Sequence, residues 1–158
     1  MTPKIDDLIT KMELTRNRLN AILEKATPQL DIYPSWNLKH LMDHITGWDE
    51  LAVSAIRSYS QGGTLERVVK DGIDQFNADS VNARGAWTLE MSRHAYDSAR
   101  VELLKAVREM PAEKLAQKFP APWGGMCTVT SVLRILIAHE SEHAQHTEEM
   151  LNKPTNSA

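Results

Sequence analysis

A single cysteine, Cys127, stands among the 158 residues. That excludes an internal disulfide framework and any zinc knuckle built from several thiolates. No run approaches the roughly 20 consecutive apolar residues that a membrane-spanning helix needs. The opening stretch Met1-Thr2-Pro3-Lys4-Ile5-Asp6-Asp7 lacks the apolar core of a secretory signal. A cytoplasmic chain with no membrane partner is the expectation. A basic excess is also missing: 18 Lys and Arg face 21 Asp and Glu, a formal net charge of -3. On that balance nucleic acid is excluded as a partner, because a phosphate-binding footprint calls for clustered positive charge. Alternating apolar and polar positions are scarce, so no segment reads as a strand. No internal repeat is visible.

What is present is helical spacing. Residues 4 to 26 carry Ile5, Leu8, Ile9, Met12, Leu19, Ile22 and Leu23 with charges between them. Pro28 and Pro34 bracket a connection, after which Ser35 is positioned to cap a helix from Trp36 to about Ser60, closed by Gly62-Gly63. A polar stretch from Thr64 to Ala86 holds a short helical candidate over Ile73 to Val81. Thr88 caps a long segment through Leu89, Tyr96, Leu103 and Val107 that stops before Pro111. A helical turn follows at Ala112 to Gln117. Pro120, Pro122 and Gly124-Gly125 then mark a loop, and Thr130 or Ser131 caps a last helix ending near Leu151. Four long amphipathic segments in one small chain predict an all-α four-helix bundle. The domain runs over residues 1–152, with a polar tail over 153–158. Spacing alone leaves the order of helix directions open.

Five of the six histidines fall in two short stretches: His40 and His44, then His139, His143 and His146. Counting along the last helix by alternate steps of four and three gives Val132, Leu136, His139, His143, His146 and Met150. The histidines thus occupy places where an apolar core residue is expected. In the earlier helix Leu41, His44, Trp48, Leu51 and Ala55 form a similar stripe. One buried histidine is ordinarily satisfied by a carbonyl or carboxylate. Three stacked imidazoles each need a partner in a low-dielectric interior, and one shared divalent cation meets that need. His94, among polar neighbours, reads as a surface residue.

His139-Glu140-Ser141-Glu142-His143 spells the H-E-x-x-H pattern of zinc peptidases, in which the glutamate is the base. The longer form with a downstream glycine and third histidine is not met, since His146 and Glu149 occupy those places. A peptidase also lays its substrate along a strand edge, and no strand is expected. Glu140 projects toward the Val129, Leu133, Ile137 and Ala144 flank of the stripe, near enough to touch the site. The peptidase reading is therefore the weaker one. Cys127 precedes a helix start, where a thiol can be acidified, but reads better as a small buried residue. Gly124-Gly125 reads as a tight turn, although it could carry Trp123 over a pocket.

Two longer segments, Trp36-Asn37-Leu38-Lys39-His40-Leu41-Met42-Asp43-His44-Ile45-Thr46-Gly47-Trp48 and Ala138-His139-Glu140-Ser141-Glu142-His143-Ala144-Gln145-His146, resemble the second and last helices of the DinB/YfiT-like superfamily. Ile73-Asp74-Gln75-Phe76-Asn77 is similar to a connecting motif of several of its branches. The resemblance spans nearly the whole chain in element order. It implies an up-down-down-up four-helix bundle whose metal ligands are His44, His139 and His143. His40, Glu140 and His146 would then support the ligands from behind or replace one of them. It further implies a divalent ion, zinc or nickel, and a homodimer. Several branches resemble transferases or isomerases that use a low-molecular-weight thiol, and another protects against a reactive genotoxin. The function implied is a metal-dependent transferase or hydrolase acting on a small electrophile as its small-molecule substrate. The alternative is a non-catalytic metal- or small-molecule-binding stress-response bundle.

Overall fold

The computed structural model describes residues 3–63 and 65–154. Five α-helices account for most of them: α1 (Pro3–Leu23), α2 (Leu38–Ser60), α3 (Ile73–Asn82), α4 (Leu89–Arg108) and α5 (Val129–Asn152). The four long ones are the expected bundle, and α3 lies in the long connection between α2 and α4. α2 packs along α4, and α1 along α5. Side-chain pairs set the relative directions. Arg16 with Glu140 and Arg18 with Glu148 ascend together, so α1 and α5 run in one sense. Glu13 with Arg108 and Asn20 with Tyr96 run oppositely, so α1 and α4 are antiparallel. None of the helices among the described residues is long and apolar enough to cross a membrane. Of the tail over 153–158, residues 155–158 lie outside the described part.

Three local features differ from the sequence expectation. Ser35 is not a helix cap: it adopts a left-handed φ of 66° inside a tight turn. That turn joins Tyr33 to Trp36, with Trp36 N–H donating to the Tyr33 carbonyl at 2.9 Å. Asn37 caps α2 instead, accepting from the amides of Lys39 and His40 while its own amide donates to His40 Nδ1 at 3.1 Å. Two orphan donors are satisfied reciprocally, which one serine hydroxyl cannot match. Similarly α5 is capped by Thr128, with Ser131 as the reciprocating residue rather than as the cap. The absence of strands is also corrected. Phe119–Pro120 (β1) and Met126–Cys127 (β2) pair antiparallel around a turn in which Gly124 and Gly125 take φ of 106° and 75°. With two residues per strand, the alternation is too short to register in the sequence.

The core falls into two apolar clusters. One gathers Ile5 to Met12 of α1 with Ile56, Leu103, Val107 and Leu133. The other gathers Leu19, Leu23, Leu41, Met42, Ile45, Tyr96 and Ala144. Between them lies a charged layer contributed by every long helix: Arg16, Asp49, Arg100 and Glu140, none more than 6% exposed. Arg100 grips Asp49 with two bonds of 3.0 and 3.1 Å and reaches Glu140 at 2.7 Å. Arg16 bonds Asp49 at 3.0 Å, Glu140, and the Tyr96 carbonyl at 3.0 Å. Two guanidinium and two carboxylate groups balance, so the layer is neutral and nearly saturated with hydrogen bonds, which is the condition for burying charge at tolerable cost.

α3 is seated against α2 through a close approach at Gly47. A Cβ there would stand 2.7 Å from the Ser80 Cβ, so only glycine lets the two helices come this near. Phe76 of α3 meets the Trp48 ring edge-on with centroids 4.7 Å apart.

Candidate metal centre

α2 and α5 cross beside the charged layer, and their histidines converge there. His44 Nε2 lies 2.9 Å from His139 Nε2 and 3.0 Å from His143 Nε2, and the last two are 2.9 Å apart. Three ring nitrogens therefore surround one point. Hydrogen bonding among themselves cannot explain that arrangement. A neutral imidazole nitrogen either carries one proton or offers one lone pair, so three atoms in a mutual triangle cannot pair off.

The ring positions away from the triangle are set individually. His143 Nδ1 is 2.7 Å from the Tyr33 hydroxyl. Tyr33 stacks flat on His146, with centroids 4.1 Å apart and planes 11° apart. His146 Nε2 lies 2.6 Å from the Ile32 carbonyl oxygen. A carbonyl only accepts, so His146 carries its proton on Nε2. His44 Nδ1 is buried with no hydrogen-bond partner among the described residues. The Trp36 ring lies over His44 at 5.1 Å.

Burial keeps the imidazoles neutral. His44 is pushed down from 6.5 to about 3, by burial first and the neighbouring His139 second. His143 falls to about 2 through burial, then through His139, His44 and His146. His139 is lowered by burial as well, against the opposing pull of Glu140, Asp49 and Glu142. Tyr33 rises to about 12 because burial and the Glu142 charge disfavour its phenolate. Three neutral imidazoles with converging lone pairs are a donor set that fits a divalent ion of the zinc type.

The histidine triangle lies in the wall of a cavity of about 350 Å³, further lined by Tyr33, Trp36, Trp48, Ile73, Asn77 and Glu142, among others. A larger depression of about 440 Å³ around Trp87, Met91 and His94 lies away from this chemistry. The cavity beside the histidines has three ligand-type ring nitrogens in its wall.

The remaining sequence candidates stand elsewhere. His40 serves the α2 cap, and His146 supports Tyr33 rather than joining the triangle. Glu140 stands on the expected flank of the stripe, with Val129, Leu133 and Ala144. It is 1% exposed, on the buried line Val129, Leu133, Leu136, Glu140, Ala144 and Thr147, and both its oxygens are held by arginines. The line of closest packing on α5 thus runs through the glutamate, and the histidines lie to one side of it. Cys127 is buried, and burial pushes its thiol up to about 11, which leaves no acidified thiol. Trp123 packs 6.2 Å from Trp48. Sequence reasoning missed Tyr33, which comes from a connecting loop with no periodic signal. It also missed the charged layer, although Arg16, Asp49 and Arg100 each interrupt an apolar stripe.

Residues 11–147 match the family model of the DinB superfamily. Two solved structures share the fold at low identity. A mycothiol-dependent maleylpyruvate isomerase, solved as an H52A mutant, superposes with a TM-score of 0.77 at 12% identity, covering 92% of this chain. The match spans only 63% of that protein's length. The colibactin self-resistance protein ClbS, in complex with double-stranded DNA, superposes with a TM-score of 0.79 at 15% identity, covering 98% of this chain and 100% of its own. No curated protein matches the chain. The ClbS complex corrects one expectation drawn above. A bundle of this fold is seen on DNA, so the exclusion of nucleic acid from net charge does not hold. Phosphate contacts depend on the few cations that face the duplex, and an overall charge of -3 carries no information about those.

Proposed function

The chain belongs to the DinB superfamily, and from that premise we propose that it is a metal-dependent enzyme acting on a small electrophile. His44, His139 and His143 would hold one divalent ion, zinc or nickel. The observation that carries this reading is the triangle of Nε2 atoms, no two more than 3.0 Å apart, in the wall of a cavity. When bound, such an ion lowers the pKa of a thiol or water and so supplies a nucleophile at neutral pH. A low-molecular-weight thiol is the preferred co-substrate. Its proton leaves to solvent and its sulfur bonds the electrophilic carbon. That carbon either releases a leaving group with the bonding pair or, where it is unsaturated, passes the π pair to the neighbouring atom, to which solvent returns a proton. Water in the same role would give a hydrolase.

The protein's own groups orient and shield. With Nε2 as the ligand atom, Nδ1–H of His143 donates to the Tyr33 hydroxyl 2.7 Å away, which holds the ring with its Nε2 lone pair toward the triangle. Trp36 and Trp48 cover the site and limit water. Glu140 is committed to Arg16 and Arg100, which argues against a peptidase base despite the H-E-x-x-H spelling. The two-residue strands of the hairpin are too short to hold an extended peptide.

A second reading, a non-catalytic stress-response bundle that binds a metal or small molecule, is favoured by the neighbour named for self-resistance. The two separate experimentally. Elemental analysis of protein purified without a histidine tag should return up to one divalent ion per chain. The loaded protein is then screened with thiols and small electrophiles. Metal-dependent consumption of both supports the enzyme, and tight binding without turnover supports the second reading. We further propose a cytoplasmic homodimer, which sedimentation at micromolar concentration tests.

A further inference from the structure

The walls of the cavity beside the histidines have an uneven chemistry. Tyr33, Trp36 and Trp48 are aromatic, and Ile73, Ile135 and Leu136 are aliphatic. Ile73 and Ile135 are 58% and 49% exposed, so two of the larger apolar side chains left open to water stand at this one cavity. Among the described residues, the lining offers strongly polar groups only at the histidines, Asn77 and Glu142, and includes no lysine or arginine.

Asn77 has a defined orientation. The Trp48 indole N–H lies 2.9 Å from Asn77 Oδ1. An indole nitrogen can only donate, so the atom facing it must be the amide oxygen. The NH₂ group of Asn77 is then the end left over, and no hydrogen bond to it occurs among the described residues. The bond to Trp48 also limits rotation of the amide. Phe76, next in sequence, braces the same indole. Glu142 is exposed, and its charge is felt by Tyr33 and His139.

We propose, building on the reading of this cavity as a reaction site, that it selects ligands with an uncharged, apolar or aromatic body bearing one hydrogen-bond acceptor. Asn77 donates to that acceptor through its NH₂ group. Glu142 disfavours ligands that carry a carboxylate away from the reacting end. Aromatic and aliphatic walls reward an apolar body by burial. A lone fixed donor rewards one acceptor, and a carboxylate without a facing cation adds repulsion to desolvation.

Five thiols with a common head and body isolate the distal group: benzyl mercaptan, and the meta and para isomers of (mercaptomethyl)acetophenone and (mercaptomethyl)benzoate. Binding to the full chain is read from tryptophan fluorescence, since Trp36 and Trp48 line the cavity. The titration is run on zinc-loaded and metal-free protein, with zinc measured in each sample. An acetophenone isomer should bind about three- to tenfold more tightly than benzyl mercaptan, the range of one hydrogen bond. Both benzoates should bind less tightly than the matching acetophenones. Asn77→Asp keeps an oxygen for Trp48 but removes the donor, and should abolish the acetophenone advantage. Glu142→Gln should narrow the benzoate deficit. Benzoates binding as well as acetophenones, an unchanged preference in Asn77→Asp, or no binding by any probe would overturn the proposal. Failure to take up zinc would count against the metal reading instead, and the order of affinities on metal-free protein would still decide the selectivity.

Discussion

The Tyr33 hydroxyl lies 2.7 Å from Nδ1 of His143, and the same ring is stacked on His146. A residue from the α1–α2 connection thereby fixes the orientation of an imidazole on α5. Tyr33→Phe keeps the ring and its stacking but removes the acceptor. Metal affinity should fall about 10- to 100-fold, the usual effect of losing a group that orients a ligand. Competition with a chromophoric chelator measures it. An unchanged affinity would show that packing alone holds the ring.

The charged layer should matter for stability more than for the site. Glu140→Gln leaves Arg16 and Arg100 sharing only Asp49 in a buried setting. Breaking a buried pair from one side costs about 3–5 kcal/mol. Urea unfolding should therefore shift by that order, while metal content stays as in the parent protein. A variant of parental stability would mean that the layer is more hydrated than its burial indicates.

Gly47→Val places a branched side chain where Ser80 stands. α3 should be displaced from α2, carrying Phe76 and Asn77 away from Trp48. The expected readout is a red-shifted, more quenchable tryptophan emission with little loss of helical circular dichroism. A parental emission spectrum would contradict the close approach.

Acid should weaken the metal-free fold. The unfolded chain protonates each histidine near its ordinary value of 6.5, whereas folded His44 and His143 resist until about 3 and about 2. Between those values the unfolded state binds more protons, so stability falls as pH drops below 6.5. The urea midpoint of metal-free protein should be lower at pH 5 than at pH 7. Replacing His143 with Gln should reduce that difference, and an equal slope in the variant would remove His143 from the cause.

Much of this was legible in the sequence because helices report their burial with a simple period. Ile5, Leu8, Met12 and Leu19 marked α1, and His44, His139 and His143 stood at stripe positions where apolar residues belong. The same rule stopped short at Glu140. It set the carboxylate beside the stripe with Val129, Leu133 and Ala144, but its partners, Arg16 and Arg100, come from other helices. A stripe read one helix at a time cannot show compensation across four. Tyr33 was illegible for another reason. Its position depends on the left-handed turn at Ser35, a conformation that propensity assigns to glycine or asparagine sooner than to serine. Asn77 was visible as part of a motif, but the orientation of its NH₂ group follows only from the bond to Trp48.

The central claim is that His44, His139 and His143 form one metal centre. Metal content per chain, measured on untagged parent protein and on His44→Ala, His139→Ala and His143→Ala after equal exposure to zinc and gel filtration, tests it most directly. The account predicts up to one ion in the parent protein, loss of binding in each of the three variants, and retained helical circular dichroism. His40→Ala and His146→Ala should still hold an ion, because those side chains serve the α2 cap and the Tyr33 stack. Unchanged zinc content in His143→Ala, or none in the parent protein, would contradict the account.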